Sequence, residues 1–114
     1  MTSPMYSADS EMSVIGALLI DNNAIDNIGD LREEHFFNAE HRKIFSAAYQ
    51  MISRGVPCDA ITLAEEMHQR DSSENWLKII GDFFSNTPSA RSISRYASIV
   101  RDRALERALQ MASS

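Results

Sequence analysis

Residues 38–57, NAEHRKIFSAAYQMISRGVP, decide the fold class. His41, Ile44, Phe45, Ala48 and Ile52 fall at i, i+3, i+4, i+7 and i+11, a spacing that places side chains on one stripe of an α-helix. The same positions would scatter over both faces of a strand. Asn38 stands where an N-cap oxygen meets the first free amides, and Gly55 and Pro57 supply stop signals. A stripe this regular has to be buried against other elements, so the segment predicts a core helix within an assembly of helices.

The period continues on both sides of that segment. Upstream, a first helix is expected over Ala8 to Ile20, with Ser7 as N-cap, Asp9 and Glu11 near its positive end, and Met12, Ile15 and Leu19 on its apolar face. Gly16 inside it points to a close helix crossing, because a missing side chain lets a neighbouring backbone approach. Asp21 caps a short second helix carrying Ile25 and Ile28, ended by Gly29, and LREEHFF forms a loop. Downstream, Asp59 caps a fourth helix with Leu63 and Met67. Asp71-Ser72-Ser73 separates it from a fifth with Trp76, Ile79, Ile80, Phe83 and Phe84. After Asn86-Thr87-Pro88-Ser89, residues Ile93, Tyr96, Ala97, Val100, Ala104 and Ala108 keep the helical period towards the end of the chain. No stretch alternates apolar and polar residues as a half-buried strand does. The reading is an all-α compact bundle of about six helices, with residues 1–90 as a helical head and 91–114 as a C-terminal helix, one domain in all.

Composition agrees. The chain has 114 residues, 44% hydrophobic and 24% charged, close to globular averages, which excludes disorder and disulfide-rich scaffolds. The formal charge of −5 argues against a uniformly basic nucleic-acid binder. That mean hides an asymmetry: residues 1–90 sum to −8, while 91–114, with Arg91, Arg95, Arg101, Arg103 and Arg107 against Asp102 and Glu106, sum to +3. Cys58 is the single cysteine and fits a reducing, intracellular compartment. The start lacks a basic segment followed by an apolar core, and the longest apolar run, Ile15 to Ile20, is too short to span a bilayer.

Catalytic chemistry is hard to assemble from these residues. Gly16, Gly29, Gly55 and Gly81 are scattered and none precedes a Lys-Ser/Thr pair, so there is no phosphate-cradling loop. His35, His41 and His68 lack the spacing of a metal site, and His41, on the apolar stripe, reads as a hydrogen-bonded structural histidine. Glu33-Glu34 and Glu65-Glu66 are adjacent pairs that point about 100° apart on a helix and cannot face one substrate together. The chain by itself therefore reads as an interaction module with no catalytic, cofactor or metal residues. Trp76, Phe83, Phe84, Phe36 and Phe37 read chiefly as core, with Trp76 and Phe84 as the aromatic candidates for an interface. The apolar stripe of the last helix is still running at Met111 when the chain stops at Ser114, which suggests continuation of the chain or a partner that covers the stripe, the alternative being simple fraying at a natural terminus.

Three segments, in order and together covering nearly the whole chain, carry a family resemblance: SADSEMSVIGALLIDNNAID (7–26), EEHFFNAEHRKIFSAAYQMISRGVPCDAITLAEEM (33–67) and NTPSARSISRYASIVRDRALERAL (86–109). They resemble the N-terminal domain of the DnaB-type replicative DNA helicases. The chain departs from the pattern at Asp71-Ser72-Ser73-Glu74-Asn75-Trp76, where the family often has a Gly-Gly turn, so the surface around Trp76 is the least transferable.

The resemblance implies a globular helical head followed by the first helix of a hairpin. It implies a collar domain of a hexameric ring, assembled as a trimer of dimers, which recruits primase and in some systems a helicase loader during DNA replication. ATP and Mg, and most contact with single-stranded DNA, would belong to the motor domain of a bacterial, phage or plasmid-encoded parent in the cytoplasm, and no membrane is involved. Mapped onto this chain, the hairpin helix brings Ile93, Tyr96, Ala97, Val100, Arg101, Ala104 and Leu105 forward for self-association, unless Ile93 to Val100 simply dock on the third and fifth helices. The alternative is a helicase-binding helical domain of a primase or loader-like adaptor. A helix-turn-helix DNA binder is disfavoured because none of the first five helices is basic, and the arginines of the last helix are most simply explained by solvation and ion pairs, such as one to Asp102.

Overall fold

The computed structural model describes residues 5–113. Within that range the chain forms five α-helices and two 3-10 turns: α1 Ala8–Ile20, a turn Asn22–Asn27, a turn Glu33–His35, α2 Ala39–Ser53, α3 Ala60–Arg70, α4 Trp76–Ser85 and α5 Ile93–Ser113. The six expected helical segments are all present, the second as a 3-10 turn and a further short turn inside the expected loop. Residues 1–4 of the expected leaderless start, and Ser114, lie outside the described residues.

Side-chain caps explain where α1 to α4 begin. The amide of Ser10 donates to Ser7 Oγ, those of Glu40 and His41 to Asn38 Oδ1, and that of Lys78 to Asn75 Oδ1. Asp59 and Thr62 form a reciprocal capping box on α3. The Thr62 amide, the first contributor, holds the Asp59 carboxyl below its ordinary range. Between α1 and α2, Gly29 turns the chain at φ +64°, a left-handed conformation that a side chain would strain.

The packing centre is α1 rather than α2. It touches α2, α4, α5 and the first 3-10 turn. The expected single apolar face of α1 is accordingly too narrow: Val14, Ile15, Ala17, Leu18 and Leu19 are all buried, as is Glu11, and Met12 is half-buried. On α2, Ala47 and Met51 enter the core while Ile52 stays half-buried. Helix α3 closes the bundle against α4 and α2.

Helix α5 lies on α1 and on the two 3-10 turns, which corrects the expected docking on the third and fifth helices. Ile93, Ala97 and Val100 join the same core as α1, so the hydrophobic core is continuous across residue 90. Cys58 is buried beside Asp59, and its thiol is pushed up to about 11, first by burial and then by the neighbouring negative charge. At about pH 8 only about one thiol in a thousand would then be thiolate. Iodoacetamide is expected to label Cys58 at least tenfold more slowly in the native chain than in urea; equal rates would contradict its burial.

Candidate functional site

Two regions bring together the candidate side chains. The first is α5, about 31 Å long at 1.5 Å per residue. Its first half is core, as Ile93 and Val100 show, with Val100 1% exposed. Beyond Arg101 the apolar side chains turn outward: Leu105 is 60% exposed, Leu109 is exposed to a similar degree and Met111 is 77% exposed. The helix therefore has a docked half and an outer half that presents aliphatic side chains.

Arginines fix how the outer half leaves the head. Arg101 Nη1 donates to the Ile28 carbonyl at 2.6 Å, and its Nε lies 3.4 Å from Asp30 Oδ1. Arg107 donates to the carbonyls of Met5 and His35, at 2.8 Å each, and its guanidinium lies over the Phe37 ring, which stacks on Tyr6. Arg103 Nη1 pairs with Glu106 at 3.5 Å. The ion pairs of this helix thus go to Asp30 and Glu106 rather than to the expected Asp102. Arginines already committed to carbonyls and carboxylates have fewer donors left for phosphate, which weakens a DNA-binding reading of the basic segment.

Of the interface candidates read from sequence, Leu105 and Phe84 are exposed, and Tyr96, Arg101 and Ala104 are half-buried. Ile93, Val100 and Trp76 are core residues rather than surface ones. Trp76 is 3% exposed, and its indole Nε1 donates to the Asp71 carbonyl at 2.6 Å. The indole is thus tied to the turn that precedes α4, and Trp76 belongs to the hydrophobic core instead of projecting from it. A charge introduced at Val100 would act on the core, which leaves Leu105 as the position that probes association separately from folding.

The second region surrounds His41, which is buried as expected. Its Nδ1 lies 2.9 Å from Glu11 Oε1. The Glu11 carboxylate also accepts from the Phe37 amide at 2.8 Å and the Asn38 amide at 3.3 Å. One carboxylate from α1 thus holds the entry to α2 and orients its histidine. Periodicity could not reveal this, because Glu11 also suits an exposed first-turn position where its charge complements the helix dipole. Among the described residues no group of histidine, cysteine, aspartate and glutamate could hold a metal ion, and no helix is long and apolar enough to cross a membrane.

Comparison with known proteins gives a consistent result. Replicative DNA helicase DnaB of Pasteurella multocida is 38% identical over 109 residues, 93% of this chain and 23% of that protein. Replicative DNA helicase DnaB of Buchnera aphidicola subsp. Baizongia pistaciae is 34% identical over 104 residues, 89% of this chain and 22% of that protein. The chain thus spans less than a quarter of the length of these curated relatives. The crystal structure of the N-terminal domain of DnaB helicase from Mycobacterium tuberculosis superposes with a TM-score of 0.89 at 30% identity, covering 97% of this chain and 83% of that one. With residues 3–102 matched by the model for the DnaB-like helicase N terminal domain, the chain belongs to that family.

Proposed function

We propose that this chain is the collar domain of a hexameric replicative DNA helicase, acting in ring assembly through dimers and a trimer of dimers and in recruitment of primase or a helicase loader during DNA replication. The observation that carries this reading is the half-docked α5: within a family of helicase N-terminal domains, a helix that is core up to Val100 and then exposes Leu105 and Leu109, four residues apart on one side, is built to meet another subunit. Arg101 lies beside that face, Tyr96 and Ala104 sit towards the docked side of the helix, and Phe84 offers a separate aromatic contact. ATP and Mg, and unwinding itself, belong in this reading to a motor domain elsewhere in the parent, which works in the cytoplasm of a bacterial cell. The names of the relatives favour a helicase over a primase or loader-like adaptor.

Sedimentation velocity tests the assembly role. The chain is expected to self-associate with concentration, and Leu105→Asp to weaken association at least tenfold, a typical loss when a buried interface anchor is replaced by a charge. Helical circular dichroism and thermal midpoint should stay close to the parent, because Leu105 is exposed in the single chain. A chain that stays monomeric at all concentrations, or a variant that associates as the parent does, would count against the proposal.

A further inference from the structure

A cleft of about 550 Å³ opens between the first turns of α1 and α2 and the end of α4. Met12, Ile79 and Phe83 give it apolar walls, and Asp9, Glu40 and Asp82 stand among its lining residues. Asp82 is paired with Lys78 at 3.3 Å. Asp9 and Glu40 have no ion-pair partner among the described residues.

The floor is His41, whose side chain is 6% exposed. A carboxylate can only accept, so in the neutral imidazole the contact with Glu11 places the proton on Nδ1 and leaves a lone pair on Nε2. That nitrogen has no hydrogen-bond partner among the described residues, yet it is not sealed from solvent as an orphaned buried atom would be. A nearly buried acceptor thus reaches an open cleft edged by two unpaired carboxylates.

Such a cleft asks for a donor-rich cation with an apolar body. The described residues form no metal-binding group. A guanidinium carries five donors, is weakly hydrated and has flat faces that suit apolar walls, whereas an ammonium is a compact, strongly hydrated charge with three donors. We propose that this cleft receives an arginine side chain of a partner protein, its guanidinium donating to His41 Nε2 and paired with Asp9 and Glu40. The proposal stands apart from the collar reading, since α5 takes no part in the cleft.

The probe is N-acetyl-arginine amide, titrated into the full 114-residue chain. The ring nitrogens of His41 are followed by NMR at about pH 8, above the ordinary histidine range. A saturable shift of Nε2, with Nδ1 nearly still, is expected. N-acetyl-norvaline amide, which lacks the guanidinium, should give no shift. The double variant Asp9→Asn/Glu40→Gln should bind at least tenfold more weakly, as expected when charge-assisted hydrogen bonds are replaced by neutral ones. Unperturbed His41 signals in the unliganded variant confirm that its fold is intact. No saturable shift with the arginine probe, parental affinity in the double variant, or equally tight binding of N-acetyl-lysine amide would each overturn the proposal.

Discussion

Glu11→Ala is expected to lower folding stability by about 3–5 kcal/mol, the loss associated with removing one member of a buried hydrogen-bonded pair. The Glu11 side chain is 1% exposed, and its two oxygens serve three donors: the amides of Phe37 and Asn38 and Nδ1 of His41. Alanine would leave all three without an acceptor at a place water cannot easily reach. It would also unfasten the chain where it enters α2, whose N-cap Asn38 is held by this carboxylate. Glu11→Gln keeps the shape and one carbonyl acceptor, but it sets an amide N–H₂ against groups that themselves donate. Its loss should be smaller, about 1–2 kcal/mol. Urea denaturation midpoints at constant m-value measure both. A loss below about 1 kcal/mol for the alanine variant would mean that the three donors find other partners and that Glu11 does not organise the entry to α2.

The contrast between Glu11 and Asn38 shows what the sequence could tell. Caps act within three residues of themselves, so Ser7, Asn38, Asp59 and the helices they start could be read directly from local spacing. The stripes of α2 and α5 were legible for the same reason. Glu11 acts across 26 to 30 residues of chain, on Phe37, Asn38 and His41, and no local pattern encodes such a partnership. The arginines of α5 show the same limit. Arg101 reaches the Ile28 carbonyl and Arg107 those of Met5 and His35, so residues that look like a basic face in one dimension act as fasteners in three. For Trp76 the helical period left both core and interface open, and the bond from its indole to the Asp71 carbonyl, in a turn with no readable period, goes with the core reading. Periodicity also cannot distinguish a helix with one buried face from one surrounded by neighbours, which is why the central position of α1 emerged only from the packing.

Gly16 and Gly81 are expected to respond to the same substitution with opposite signs. Both lie inside helices, where alanine in place of glycine is intrinsically favourable by about 1 kcal/mol. At position 81 a Cβ would meet nothing within 4 Å, so Gly81→Ala should stabilise the chain by about 0.5–1 kcal/mol. At position 16 a Cβ would overlap the Thr87 side chain and lie 2.6 Å from the Phe83 carbonyl oxygen. Neither group can give way freely. The Phe83 carbonyl is backbone of α4, and the Thr87 hydroxyl donates to that same carbonyl at 2.8 Å, so side chain and backbone are locked together against α1. Relief requires α1 and α4 to separate, which would loosen Phe83 and Val14 in the shared core. Overpacking of this kind costs about 1–3 kcal/mol and outweighs the gain in helix propensity, so Gly16→Ala should be destabilising and Gly16→Val more so. Thermal midpoints of the two alanine variants, measured side by side, decide the matter. If both rise, the crossing of α1 and α4 is not held by backbone contact at Gly16, and its glycine has no steric reason. If they diverge, close approach of two helices outweighs the propensity of the residue between them, and the tight crossing is what sets the head's geometry around the His41 cleft.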